Sequence, residues 1–296
     1  MRVLIIGAGE IGLAIGTVLQ NAGHEVWFWD RNSSKCTKGK DLKDAAADCD
    51  CVFFCVPSTG LRDAAINIAP VIPANKPIVV LSKGIESGSN KTSDAVLEDI
   101  FPKNSIAVLG GPMLAEEMKR GEAAIGVLGV EDDKTSAFVI SLFNGTRLYI
   151  ERTTDIRGLA LCGALKNIYS LSFGFAEASG EESNVKGSLS AQSLREMVEI
   201  VTVLGGRPET VMGPGGLGDL VASGMSVYGY NRRVGRELLE KGKTDLVSEG
   251  ILSIGPIGSL LGEKCKEYKL FSVIQKIIFS PGEGRRVFEE YLQEQY

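Results

Sequence analysis

The chain has 296 residues, more than one hydrophobic core usually organises, and its 44% apolar and 23% charged residues exclude a disordered protein. The formal charge of -5 comes from interleaved acidic and basic residues, so no basic run argues for a nucleic-acid partner. Six cysteines, Cys36, Cys49, Cys51, Cys55, Cys162 and Cys265, are too few and too scattered for a disulfide scaffold.

The chain opens on a short apolar run at residues 2–6, passes into Gly7-Ala8-Gly9-Glu10-Ile11-Gly12, and continues as a helical stretch to about Gln20. This leaves no room for a signal peptide, and no apolar run approaches the ~18 residues that span a bilayer, so a cytoplasmic protein is expected. Further strands are expected at His24 to Trp29, Cys51 to Val56, Pro77 to Leu81 and Ser105 to Leu109, then at Ala123 to Gly129 and Thr146 to Ile150. Strands alternating with helical segments predict an α/β fold, a parallel Rossmann-type doubly wound sheet with its functional groups at the strand C-termini. Cys49, Cys51 and Cys55 then read as part of a buried strand, and no metal is expected. After about Glu151 the pattern changes to long helical periods, which predicts a dinucleotide-binding domain over 1–150 and a mainly helical domain over 151–296.

The glycine turn carries the clearest chemistry. Gly7 permits a tight turn, Gly9 lets a pyrophosphate approach the backbone, and Gly12 lets the helix pack closely on the strand. The helix N-terminus adds free amides and a partial positive charge. Asp30 follows at the end of the second strand, 18 residues past Gly12, where a carboxylate bonds the adenosine ribose. Asp30 favours NAD, whereas the adjacent Arg31 suits the extra phosphate of NADP.

The only histidine, His24, precedes the second strand as a surface turn residue, far from any expected site. A proton donor for carbonyl reduction is therefore sought among lysines. Lys83 ends the fourth strand, where a cleft would open, and Lys166 stands among small and apolar residues on an expected helix. Asp219 lies in the glycine-rich segment 213–221, where it reads either as a site carboxylate or as a helix cap. Asn231, Arg232 and Arg233 form a group suited to a phosphate.

GAGEIG, VPS (56–58), SKGIE (82–86), GP with a following Glu (111–117), GALKN (163–167), GLGDLVA (216–222), NRRVG (231–235) and EG (249–250) occur in this order along nearly the whole chain. Together they resemble the NAD(P)-dependent glycerol-3-phosphate dehydrogenase family. The resemblance implies interconversion of sn-glycerol 3-phosphate and dihydroxyacetone phosphate, with NAD or NADP as cofactor. By the same resemblance Lys166 exchanges the proton, with Lys83 and Asp219 beside it. Gly111, Asn231, Arg232 and Lys83 fall on the substrate side. Gly7, Gly9, Glu10, Ile11, Gly12, Asp30, Arg31, Pro57, Lys83, Arg232 and Glu249 fall on the cofactor side. A homodimer, a phosphorylated small-molecule substrate and a place in glycerophospholipid metabolism are implied by analogy.

The chain departs from the family pattern in places that bear on substrate. Gly229-Tyr230-Asn231-Arg232-Arg233 stands where the family usually carries Ser-Arg-Asn-Arg-Arg, so Tyr230 replaces an arginine expected to grip phosphate. Met113 stands in place of a small hydroxyl residue, Gln192 in place of a common arginine, and the stretch from Asp30 to Cys51 is short. Two other readings therefore stay open: a reductase of another small 2-oxo or hydroxy compound, as in ketopantoate-reductase-like relatives, and a non-catalytic dinucleotide-binding regulator.

Overall fold

A computed structural model describes residues 1–295. The first strand, β1 (Arg2–Ile6), is followed by α1 (Glu10–Asn21), β2 (Glu25–Trp29), α2 (Leu42–Asp48), β3 (Cys51–Phe54), α3 (Ser58–Ile68) and β4 (Ile78–Val80). Then come α4 (Ser93–Ile100), β5 (Ile106–Gly110), α5 (Ala115–Lys119), β6 (Ala124–Gly129), α6 (Asp133–Ser141) and β7 (Leu148–Thr153). The strands form one sheet in the order β2-β1-β3-β4-β5-β6-β7. Period-two alternation splits its core in two: Val3, Ile5, Phe53 and Val79 pack on one face, Leu4, Ile6, Val52 and Phe54 on the other. Strand order reverses beside β1, which opens a crevice at the C-terminal ends of β1 and β3.

The sheet is not wholly parallel. β6 runs antiparallel to β5, and β7 is parallel to β6. After β5 the chain enters α5, which packs against α1 rather than crossing a face of the sheet, and so β6 returns in the opposite direction. β7 extends to Thr153, past the boundary expected at residue 150, and the helical part begins at Ile156. His24 lies just outside β2 and is half-buried; its Nε2 is 2.9 Å from the Leu142 carbonyl oxygen, so it ties β2 to the end of α6 instead of standing free in a turn. Cys49, Cys51 and Cys55 are buried, and burial pushes Cys49 up to about 11 and Cys55 up to about 12.

The helical part is organised by α7 (Ile156–Ala178), which is apolar all round and buried from Gly158 to Ala176. Its mean hydropathy of 1.2 over a membrane-spanning length corrects the expectation that no such run exists. The run is a core helix, and the most apolar stretch of α7 is completely buried within the protein. Packed around it are α8 (Ser183–Val203), α9 (Pro208–Met212), α10 (Asp219–Met225), α11 (Tyr230–Lys241), α12 (Glu249–Leu261) and α13 (Lys269–Phe279), with α14 (Gly284–Gln295) on α13. α11 crosses α7 at near backbone contact: a Cβ at Gly235 would stand 2.1 Å from the Leu171 carbonyl oxygen. That approach seats the first turn of α11 beside the middle of α7. Glu196 of α8 is buried in this core, where its carboxylate accepts hydrogen bonds from Tyr169 Oη at 2.8 Å and from the Leu270 and Phe271 amides at 2.7 and 2.9 Å.

Candidate active site

The nucleotide groove is built by the first strand, turn and helix. Gly7 adopts φ +102°, and a Cβ on Gly12 would fall 2.0 Å from the Gly7 carbonyl oxygen, so neither position tolerates a side chain without movement. A Cβ on Gly9 would stand in open space with no atom within 4 Å. Gly9 caps α1 without any side-chain hydrogen bond, which leaves the amides of Glu10, Ile11 and Gly12 free to meet an anion. The Glu10 carboxylate does not oppose that role alone, because it pairs with Lys119. Asp30 braces the turn by accepting from the Ala8 amide at 2.9 Å and the Asn32 amide at 2.9 Å. Asp30, Arg31, Gly7, Gly9 and Pro57 line one cavity of about 310 Å³. Gly9, Pro57, Lys83, Asn231 and Glu249 line an adjoining cleft of about 630 Å³ between the sheet and the helical part. An extended open trough with free helix amides and a carboxylate at its far end fits a dinucleotide.

Three charged side chains meet at the inner end of this cleft. Lys83, just past β4, donates to Asp219 Oδ2 at 2.6 Å and to the Gly111 carbonyl at 3.0 Å. Lys166 of α7 donates to Ser223 Oγ at 2.7 Å and lies 3.1 Å from Asp219 Oδ1. Asp219 opens α10 after a π-helical turn over Pro214–Gly218; the cap itself is Gly218, so the carboxylate faces the lysines and is not a helix cap. Lys166 is 7% exposed and Asp219 2%. Burial pulls the Lys166 ammonium down to about 8, with Lys83 acting in the same direction and Asp219 opposing. Burial acts to raise Asp219, but attraction and hydrogen bonds from Lys166 and Lys83 outweigh it and hold the carboxyl below its ordinary range.

A chain of amides fixes this cluster. Asn167 donates to the Lys83 carbonyl at 2.8 Å, Asn231 donates to Asn167 Oδ1 at 2.9 Å, and the Gly250 amide donates to Asn231 Oδ1 at 3.1 Å. Glu249 reaches across the cleft to accept from the Ser58 amide at 2.8 Å and Ser58 Oγ at 2.5 Å, at the N-terminus of α3. Arg232 is not brought to the cleft: its guanidinium turns along α7 to Glu177 Oε1 at 2.8 Å, an ion pair shared with Lys186. One residue along α11 rotates the side chain by about 100°, so Asn231 faces the cleft and Arg232 does not. Gln192 bonds Glu196 at 3.0 Å inside the helical core and is likewise remote from the cleft. Met113 and Tyr230 do line it.

Sequence reasoning missed Ser223, Ser58 and Asn167 as individuals. Ser223 was accessible, because it lies four residues after Asp219 and thus on the same helix face. Ser58 is legible only once Glu249, 191 positions away, is known to reach it.

Family models for the NAD-dependent glycerol-3-phosphate dehydrogenase N-terminus and C-terminus match residues 34–136 and 155–288. The glycerol-3-phosphate dehydrogenase [NAD(P)+] of Teredinibacter turnerae is 31% identical over 279 residues, covering 87% of this chain and 81% of its own. That of Mycobacterium avium is 34% identical over 259 residues, covering 80% and 76%. The crystal structure of glycerol-3-phosphate dehydrogenase from Coxiella burnetii superimposes with a TM-score of 0.88 at 25% identity, over 98% of each chain.

Proposed function

The chain belongs to the NAD-dependent glycerol-3-phosphate dehydrogenase family, and from that premise we propose that Lys166 exchanges the proton when sn-glycerol 3-phosphate and dihydroxyacetone phosphate interconvert. The enzyme is an NAD(P)-dependent oxidoreductase acting on a CH–OH group. The observation that carries the Lys166 role is a buried amine beside the cofactor cleft whose proton affinity burial has brought close to neutrality.

When bound, the reduced cofactor supplies a hydride to the carbonyl carbon. In that direction Lys166 donates its proton to the carbonyl oxygen, which leaves a neutral amine and the alcohol. In the reverse direction the neutral amine accepts the hydroxyl proton as the carbon loses hydride. Asp219 holds the two ammonium groups at fixed positions through separate oxygens, so the Lys166 charge is aimed before substrate arrives. Lys83 adds a second positive charge beside the developing oxyanion, and Gly111 orients Lys83 through its carbonyl. Asn231 keeps α11 in register with α7 and positions the substrate edge of the cleft.

The division of labour we propose follows the architecture: residues through β7 hold the cofactor, and those from α7 onward supply the proton and most of the substrate wall. Within the cofactor end, NAD is the preferred dinucleotide. Asp30 and Asp63 line the same cavity and would repel an additional phosphate, against the single cation Arg31. The test is initial-rate oxidation of NADH and of NADPH in the presence of dihydroxyacetone phosphate. Turnover is expected with both and a lower KM with NADH; absence of turnover with either cofactor would overturn the reading.

A further inference from the structure

We infer that Arg233 is the residue that grips the substrate phosphate in this chain, an inference that rests on the glycerol-phosphate reading above. Beyond Lys166 the cleft continues as a cavity of about 500 Å³ whose lining includes Ser223, Tyr230, Asn231 and Arg233. A phosphate lodged there needs a cation not already neutralised. Lys166 is engaged by Asp219 and Ser223 and is assigned to the proton. At the mouth, Lys119 pairs with Glu10, while Arg120 bonds Glu122 at 2.7 Å and Tyr228 Oη at 3.0 Å. Arg232 is committed to Glu177.

Arg233 enters none of the ion pairs found among the described residues. Its guanidinium instead lies 5.0 Å from the centroid of the Tyr230 ring. Tyr230 supplies no charge, but its face holds the neighbouring guanidinium and limits the freedom that a bound anion would otherwise have to remove. Glu116 also lines this cavity, so an anion is repelled from its wall and drawn toward α11, where Arg233 stands. A planar fork of donors then meets the phosphate oxygens in paired hydrogen bonds, which an ammonium at the same place would match less well. Arg233 lies three positions after Tyr230 on α11, on the same helix face.

The experiment compares wild-type enzyme, Arg233→Met and Arg233→Lys by steady-state kinetics with dihydroxyacetone phosphate and with unphosphorylated dihydroxyacetone. NADH binding to each is measured separately by fluorescence. For Arg233→Met the expected result is a rise in KM for the phosphorylated substrate on the order of 50-fold, the strength of a charged hydrogen-bonded contact. Activity on dihydroxyacetone and affinity for NADH should change by less than about twofold on the same grounds, since neither involves the phosphate. Arg233→Lys should recover part of the loss. An unchanged KM in Arg233→Met, with the wild type active, overturns this inference alone, as does an equal loss on both substrates. A wild type inactive with dihydroxyacetone phosphate overturns the parent reading and this inference with it.

Discussion

Lys166 is held in a balance of burial against charge. An ammonium among the apolar residues of α7 loses hydration, and without Asp219 it would release its proton more readily still. With Asp219 in place the loss is partly offset, and the amine titrates at about 8. The sign of the resulting pH dependence is fixed. Below about 8 the group is an ammonium and donates; above it the group is an amine and accepts. Ketone reduction should therefore fall as pH rises through about 8, and alcohol oxidation should rise through the same region. Profiles of kcat/KM in both directions check this; two limbs of the same sign would contradict it. In Asp219→Asn the counter-charge is gone, so the reduction limb should move to lower pH.

Elements place these groups by contact between backbones as much as by side chains. The near touch of α11 on α7 at Gly235 aligns Asn231 with Asn167, and so with Lys83. Gly235→Ala would put a methyl group 2.1 Å from a carbonyl oxygen that cannot retreat within α7. A loss of roughly 1–3 kcal/mol in urea unfolding is expected from such overpacking, and a change under about 0.5 kcal/mol would contradict it. This crossing was not legible in the sequence, where NRRVG read as a group suited to a phosphate and said nothing about a packing partner. The strands were legible, because β3 and β5 are unbroken apolar runs bounded by Pro57 and by Gly110-Gly111. The direction of β6 was not, since alternation and length are the same in either sense. Nor did composition reveal how α7 is buried, which depends on helices and strands that lie elsewhere in the chain.

At the scale of the whole molecule, the site exists because separate parts of the chain close on one another. Lys83 with Gly111 comes from the sheet, Lys166 with Asp219 from the helical part, and Glu249 spans the cleft to Ser58. The sequence showed Lys83, Lys166, Asp219 and Asn231 as candidates because each stands in a compact string of unusual composition. It did not show that the Arg232 side chain turns to Glu177, because adjacent arginines on a helix look alike until the neighbouring helix fixes where each one points. The central claim is that the Lys166 amine is the proton donor to bound ketone, and single-turnover hydride transfer in Lys166→Met tests it most directly. With enzyme saturated by NADH and dihydroxyacetone phosphate, the account predicts a rate lowered about 10²- to 10⁴-fold while NADH still binds normally. A variant that transfers hydride at the wild-type rate would contradict it.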